Sequence, residues 1–164
     1  MRRNDREVKD INEIEEIIRL CKTCHAAMVD DGKPYVVPLS YGYRILDNTV
    51  LELYFHSAYE GRKIDILKRN NRVCFEMMYE GKPVNADTPC NSGYYYASVI
   101  GNGEVVFITD AAGKCEALSM LCKHQIGKET VFTDDQTKNV CIFKITSTEF
   151  TGKKKTEPNL ANTP

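Results

Sequence analysis

Six short segments with the residue types of β-strands follow one another at close spacing along this 164-residue chain. They cover residues 26–29, 35–41, 50–56, 72–79, 94–108 and 139–145. The two connections that join the first three segments are too short for the crossover of a dozen or more residues that parallel strands need. The spacing therefore argues against a parallel βαβ sheet and predicts a mainly β fold, a small antiparallel barrel flanked by helices.

Three helices are predicted, one before the first strand and two between later strands. Asp10 is a predicted N-cap with Glu13 three residues on, and apolar residues then recur at helical spacing up to Cys21. Residues 61–70 predict a short helix with Ile64 and Leu67 on one side. A third helix is predicted to begin after Thr109 or Asp110 and to end at Gly127, with an apolar stripe at Ala111, Cys115, Leu118, Leu121 and Cys122.

Two features predict irregularities in the strands. Pro38 has no N–H to donate to a ladder, so it indicates an edge, a bulge or a strand end. The sequence Gly101-Asn102-Gly103 interrupts the longest strand and predicts a bulge or a sharp bend there.

Composition and charge limit the class of protein. The formal net charge is −1, and the only basic run is Lys153–Lys155, interpreted as a solvated end, so a nucleic-acid partner is not expected. No apolar run is long enough to span a membrane, and the polar start of the chain does not resemble a signal peptide. The seven cysteines do not have the spacing of a disulfide scaffold, so we expect a soluble cytoplasmic protein with free thiols. We expect one domain over residues 1–155 and a loose tail over 156–164.

The strand end at Ser57 and the helix start at Arg62-Lys63 form a candidate phosphate site. Ser57 offers a hydroxyl, the helix start offers free N–H groups, and the two basic residues add charge. An ordinary strand–helix junction with exposed basic residues explains the same pattern, and such junctions are common. From the spacing alone, both interpretations stay open.

Two histidine-containing segments are further candidates. His56 stands at a strand end, where it could donate a proton to a substrate or serve as a structural histidine. The segment Cys21-x-x-Cys24-His25 suggests haem attachment, zinc or redox chemistry, but it lacks an export signal, a second ligand pair and a neighbouring βαβ unit. We interpret Cys21 and Cys24 as structural, and predict no metal site.

Several blocks in order along the chain resemble the 5-nitroimidazole antibiotic resistance (Nim) family, a member of the pyridoxamine 5′-phosphate oxidase-like, FMN-binding split-barrel group. The resemblance runs from Met1 to about Lys153, and the ordered set is specific although each block alone is weak. The blocks are residues 1–3, 5–7, 34–43, 53–58, 61–63, 73–76, 96–103 and 151–153.

The resemblance implies a homodimer of six-stranded antiparallel split barrels with FMN between the subunits. It implies that Ser57, Arg62 and Lys63 hold the FMN phosphate, that Ser98 lies near the cofactor, and that Pro38 lies near the isoalloxazine. His56 matches the family's active-site histidine beside the flavin. The implied activity is reduction of the nitro group of small nitroimidazoles.

The chain departs from the wider group at two places. Residues 35–38 carry no charge where a basic pair often helps to hold the phosphate, and Ala58 stands where an asparagine is common. These departures argue against oxidation of pyridoxamine phosphate. We therefore expect an FMN-dependent reductase of small electron-poor substrates; the alternatives are a flavin-binding module without turnover, or a split barrel that binds another cofactor such as haem.

Overall fold

The computed structural model describes residues 3–155, so the predicted tail over 156–164 lies outside the described residues. Four α-helices occur in this part of the chain: α1 Ile11–Leu20, α2 Arg62–Arg69, α3 Ala111–Ile126 and α4 Asp134–Thr137. The strands are β1 Glu7–Val8, β2 Thr23–Asp30, β3 Lys33–Ser40, β4 Gly42–Leu46, β5 Val50–Ser57, β6 Arg72–Val84, β7 Gly93–Ile108 and β8 Cys141–Lys155.

The strands form one antiparallel sheet in the order β3-β2-β6-β7-β8-β5-β4, with β1 paired to β8. The predicted mainly β, antiparallel class is confirmed. The sheet has eight strands where six were expected, because β1 and β4 are short and lack a clear alternating pattern in the sequence. Pro38 lies in β3, at one end of this strand order, as its missing N–H predicted.

Helix termini follow the predicted caps. The Asp10 carboxylate accepts hydrogen bonds from the backbone N–H groups of Asn12, at 2.8 Å, and Glu13, at 3.2 Å. Asp110 caps α3 by accepting from Gly113 N at 2.7 Å. The left-handed Gly127, with φ 69°, ends that helix.

The core lies between the inner face of the sheet and the helices α1 and α2. Phe55 and Phe143 stack across β5 and β8 with ring centroids 5.1 Å apart. On β5 both faces are covered, because α3 packs Ala117 against Tyr54 on the side away from the stacked rings.

The predicted bulge in the longest strand is confirmed. The register between β7 and β8 shifts between Asn102 and Glu104. A Cβ atom at Gly103 would lie 2.6 Å from the Ile145 side chain and 2.7 Å from the Thr146 carbonyl oxygen. The close approach of β8 explains why a glycine occupies this position.

The chain from Thr146 to Lys155 continues β8 well beyond the predicted end at residue 145. The interpretation of Lys153–Lys155 as a solvated end was wrong, because these residues pair with β7, and Lys153 also pairs with Glu7 of β1. The Lys154 ammonium lies 2.5 Å from the Glu13 carboxylate of α1. Lysine side chains at a sheet edge keep their charge near solvent while their backbone completes the ladder.

Candidate functional site

The end of β5 and the start of α2 bring three predicted residues together: Ser57 ends the strand, and Arg62 and Lys63 open the helix. Between them Gly61 has φ 128°, a backbone conformation that glycine adopts without strain, and this lets the chain turn sharply into α2. Ile64, Ile66 and Leu67 are buried and fix the helix on the core. The helix start is thus held rigidly beside the strand end.

The Ser57 hydroxyl is the least satisfied polar group of this junction. Its Oγ atom is buried and has no hydrogen-bond partner among the residues that the structure describes. Buried polar groups are nearly always paired, so an orphaned hydroxyl needs an explanation such as a bound ligand. The N-terminus of α2 beside it has no side-chain cap either. Both features are what a phosphate-binding junction requires.

Arg62 is already engaged by neighbouring residues. Its Nε donates to the Asp30 carboxylate at 3.0 Å, and its guanidinium carbon lies 4.3 Å from the centre of the Tyr35 ring. Asp30 also accepts from Arg69 at 2.6 Å. Part of the Arg62 charge is therefore balanced by a carboxylate that the sequence analysis did not link to this site, because the pairing depends on the position of the β2–β3 hairpin.

Lys63 is half-buried in the first turn of α2. Cys141 of β8 pairs directly with Ser57 across the sheet. Burial raises the pKa of the Cys141 thiol, and the positive charges of Lys114, Lys68 and Lys63 oppose that rise. Three ammonium groups thus act on the position opposite Ser57, which makes the junction electropositive.

His56 is exposed at the end of β5, one residue before Ser57, and pairs with Ile142 of β8. Because successive residues of a strand point to opposite faces, its side chain lies on the other face from Ser57. An exposed imidazole at this place can exchange a proton with a small molecule bound against the strand end.

Pro38 and Ser98 lie on the outer face of the sheet, away from the junction. Pro38 belongs to a row across four strands that continues through His25, Glu76 and Ile100. Ser98 pairs with Lys153 of β8, whereas Ser57 pairs with Cys141, twelve residues earlier on the same strand. Twelve residues of extended chain cover about 40 Å, so the fold of one chain does not bring Ser98 to Ser57.

A buried charge network on the neighbouring part of β5 was not predicted. Glu52 is only 4% exposed and accepts hydrogen bonds from Arg44 at 2.7 Å, from the Tyr54 hydroxyl at 2.5 Å and from the Lys144 ammonium. Burial alone would raise the pKa of Glu52, but these three donors outweigh it and lower the pKa to about 2. Arg44 also meets Glu116 of α3 at 2.9 Å. The network joins β4, β5, β8 and α3.

The histidine of the Cys21-x-x-Cys24-His25 segment lies apart from its two cysteines. Cys21 and Cys24 are buried in the core, and burial raises their thiol pKa values to about 11 and about 12. His25 lies on the outer face, with Nδ1 3.0 Å from the Glu76 carboxylate. Within residues 3–155, no group of three or more His, Cys, Asp or Glu side chains could hold a metal ion.

Two clefts open elsewhere on the surface. One, of about 980 Å³, lies over the outer ends of β2, β6, β7 and β8, and Arg72 and Glu104 are among its lining residues. The other, of about 800 Å³, lies between α1, β4 and the end of α3, beside His124. None of the six predicted site residues lines either cleft. In residues 3–155, no helix has the length and apolar character needed to cross a bilayer.

Comparison with known families accounts for this architecture. The family model described as pyridoxamine 5′-phosphate oxidase matches residues 10–154. The match covers most of the chain, and the chain belongs to this family. Its antiparallel sheet with few helices is that of the family's split barrel.

Solved structures agree with this assignment. A candidate 5-nitroimidazole antibiotic resistance protein from Bacteroides thetaiotaomicron is 33% identical, with a TM-score of 0.76, covering 90% of this chain and 85% of that one. The flavocytochrome Anf3 from Azotobacter vinelandii is 20% identical, with a TM-score of 0.78, covering 96% and 73%. The FAD- and haem-binding protein from Mycobacterium smegmatis is 15% identical, with a TM-score of 0.76, covering 93% and 74%. The last two share the fold alone. No functionally curated sequence matches the chain significantly.

Proposed function

We propose that this protein is an FMN-binding reductase of small, planar, electron-poor substrates such as nitroimidazoles. The observation that carries the proposal is the orphaned, buried Ser57 hydroxyl beside the uncapped N-terminus of α2. The similarity to a candidate nitroimidazole resistance protein and to proteins named for flavin binding supports it.

The residues of the β5–α2 junction fit a phosphate group. Ser57 donates one hydrogen bond, the first N–H groups of α2 donate others, and the helix dipole favours a negative charge there. Lys63 adds a positive charge, while Arg62 stays partly committed to Asp30. The phosphate, rather than the flavin ring, is therefore the part of FMN that this chain's own residues hold at the junction.

Bound FMN would supply the electron pair for reduction of the substrate. His56 precedes Ser57 on β5 and exposes its imidazole on the opposite face, and in this proposal it gives a proton to the reduced substrate. The predicted role of Pro38 beside the isoalloxazine stays part of this proposal.

A second copy of the chain completes the site in this proposal. Ser57 and Ser98 pair with opposite ends of β8, so only a partner subunit can bring a Ser98 to the Ser57 of the first. The outer face that carries Ser98 also exposes Met78, at 53%, and Ile100, at 49%. Apolar side chains exposed on one sheet face suit contact with another protein surface, and we propose the homodimer on that ground.

The seven cysteines are all free, and Cys21, Cys24 and Cys141 among them are buried. Free thiols persist in reducing compartments, so we place the protein in the cytoplasm. No nucleic-acid or membrane partner belongs to the proposal.

The first experiment is the absorbance spectrum of the freshly purified protein, followed by identification of the released chromophore. The proposal predicts a band near 450 nm and released FMN, as expected of a flavin cofactor. A Soret band would indicate haem and contradict the cofactor assignment. A colourless protein that does not bind added FMN would contradict it as well.

The second experiment separates an enzyme from a binding module. Reductant-driven loss of a nitroimidazole chromophore should depend on the FMN-loaded protein and fall strongly in His56→Ala. His56→Gln keeps a hydrogen-bond donor but cannot donate a proton, so it should be impaired equally. Full turnover in either variant, with FMN affinity unchanged, would remove His56 from the reaction. Flavin binding without turnover would indicate a flavin-binding module for storage or sensing rather than an enzyme.

A further inference from the structure

Lys114 is a buried charge that the proposed phosphate site does not yet include. It lies in the first turn of α3, four residues after the Asp110 cap, and is only 8% exposed. The predicted apolar stripe of α3 skipped this position, although the structure buries Lys114 more deeply than it buries Cys115 or Leu118.

The Lys114 ammonium donates to three neutral oxygens. Its Nζ lies 2.8 Å from the Tyr59 hydroxyl, 3.1 Å from the Val140 carbonyl and 3.4 Å from the Thr137 carbonyl. Three acceptors match the three N–H donors of a protonated lysine. Across residues 3–155, Lys114 forms no ion pair with an acidic side chain. A buried cation without a counter-ion is costly, so a nearby anion would be strongly favoured.

The position of Lys114 points to the anion that is missing. Tyr59 lies two residues beyond Ser57, and Val140 immediately precedes Cys141, the residue that pairs with Ser57. Tyr59 in turn donates to the Lys138 carbonyl at 3.1 Å, so a chain of hydrogen bonds ties the loop after β5 to the segment before β8. The Lys114 ammonium therefore contacts the chain on both sides of the Ser57–Cys141 pair, where the Ser57 hydroxyl has no partner among the described residues.

We propose that Lys114 is the buried counter-charge of the ligand phosphate at the β5–α2 junction, and that it positions the loop of Ser57 through Tyr59. The inference rests on the proposed FMN site and extends it. Lys114 makes the site selective for a phosphorylated flavin over the same flavin without phosphate. Because the cation is buried, solvent and salt screen its effect less than that of an exposed lysine.

The test compares dissociation constants for FMN and riboflavin, which share the isoalloxazine and differ in the phosphate. Lys114→Met should weaken FMN binding about tenfold, as expected for one unit charge acting over several ångströms at a protein's effective dielectric, and leave riboflavin binding unchanged. Lys114→Gln keeps an N–H donor for the loop and should show the same selective loss, and it carries the test if the methionine variant does not fold. The control is Lys128→Met, which removes an exposed lysine just beyond the far end of α3, where we expect a loss of about twofold or less.

The outcomes separate this inference from the proposal on which it rests. Equal loss of FMN and riboflavin binding in both Lys114 variants would mean that Lys114 only holds the structure, and would overturn the inference alone. An undiminished preference for FMN in both variants would overturn it too. If the wild-type protein bound FMN and riboflavin equally, or bound neither, the phosphate site itself would fall and the inference with it.

Discussion

Two polar side chains of β5, five residues apart, both have buried oxygen atoms but differ in whether those atoms are hydrogen-bonded. Glu52 is enclosed by Arg44, Tyr54 and Lys144, which meet its carboxylate with hydrogen bonds. Ser57 Oγ is equally inaccessible but has no partner within residues 3–155. The same strand thus holds a polar group that the protein satisfies internally and one that it leaves open. We infer from this difference that the Glu52 network serves the fold, and the unpaired Ser57 hydroxyl supports the proposal that the strand end serves a ligand.

The largest effect is expected for Glu52→Gln, which tests whether the hydrogen-bonded Glu52 network stabilises the fold. The variant leaves the Arg44 and Lys144 charges without their buried counter-ion, so we expect the free energy of unfolding to fall by about 3–5 kcal/mol. Chemical denaturation measures it. Glu116→Gln, which removes only a surface contact with Arg44, should cost less than about 1 kcal/mol. A loss for Glu52→Gln as small as that of the control would contradict a structural role for the network.

As the pH falls, protonation of His124 should destabilise the fold before protonation of Glu52 does. Its Nε2 donates to the Cys21 carbonyl at 2.8 Å, and burial lowers its pKa to about 4 from an ordinary 6.5. The unfolded chain then binds the proton more readily, so stability is lost as the pH falls from 6.5 towards 4, by about 2 kcal/mol at pH 5. Unfolding curves at pH 7 and pH 5 measure this loss.

His124→Gln keeps a donor for Cys21 but does not titrate, so it should lose this part of the slope. Glu52 affects stability over a lower pH range, because its pKa is lowered. Its contribution to the free energy of unfolding is present above pH 4.5 and is lost as the pH falls towards 2. An unchanged slope between pH 6.5 and 5 in His124→Gln would remove His124 as the cause.

For the unpaired Ser57 hydroxyl, Ser57→Ala should weaken FMN binding about tenfold, because one hydrogen bond to a charged phosphate is lost. It should leave the stability of the ligand-free protein nearly unchanged, since the hydroxyl has no internal partner to lose. Titration with FMN and thermal unfolding without ligand measure the two effects.

A matched serine provides the control. Ser147 is 2% exposed, and its hydroxyl donates to the Asn102 carbonyl at 2.6 Å. Ser147→Ala should therefore cost about 1 kcal/mol of stability and leave FMN affinity alone. If Ser147→Ala weakened FMN binding and Ser57→Ala lowered stability instead, the contrast between the hydrogen-bonded and the unpaired serine would be wrong.

The smallest predicted effect distinguishes the two basic residues of α2. Arg62 shares its charge with Asp30, whereas Lys63 forms no ion pair with an acidic side chain in the described part of the chain. Lys63→Met should therefore weaken FMN binding about threefold more than Arg62→Met does. Equal losses would show that Asp30 releases Arg62 when the ligand binds.

The sequence was most informative where local chemistry decides the structure. The caps at Asp10 and Asp110, the glycine that ends α3 and the bulge near Gly103 follow from single side chains or backbone constraints, and each was predictable. The grouping of Ser57, Arg62 and Lys63 was predictable as well, because they are close in the sequence.

The sequence was least informative where the answer depends on register. Glu52 lies in a predicted strand, but only the packing of α3 and the pairing with β8 enclose it. Asp30 and Lys114 reach the junction from distant segments, so no spacing in the sequence indicates them. The separation of Ser98 from Ser57 is likewise a property of β8, whose continuation past residue 145 the alternation did not reveal.

The most direct test of the central claim is a calorimetric titration of the flavin-free wild-type protein with FMN and with riboflavin. We predict that FMN binds at least about a hundredfold more tightly, since several charge-assisted hydrogen bonds to the phosphate act together at the junction of β5 and α2. Equal affinity for the two flavins would contradict a phosphate site at Ser57 and would leave the family fold without the cofactor role proposed for it.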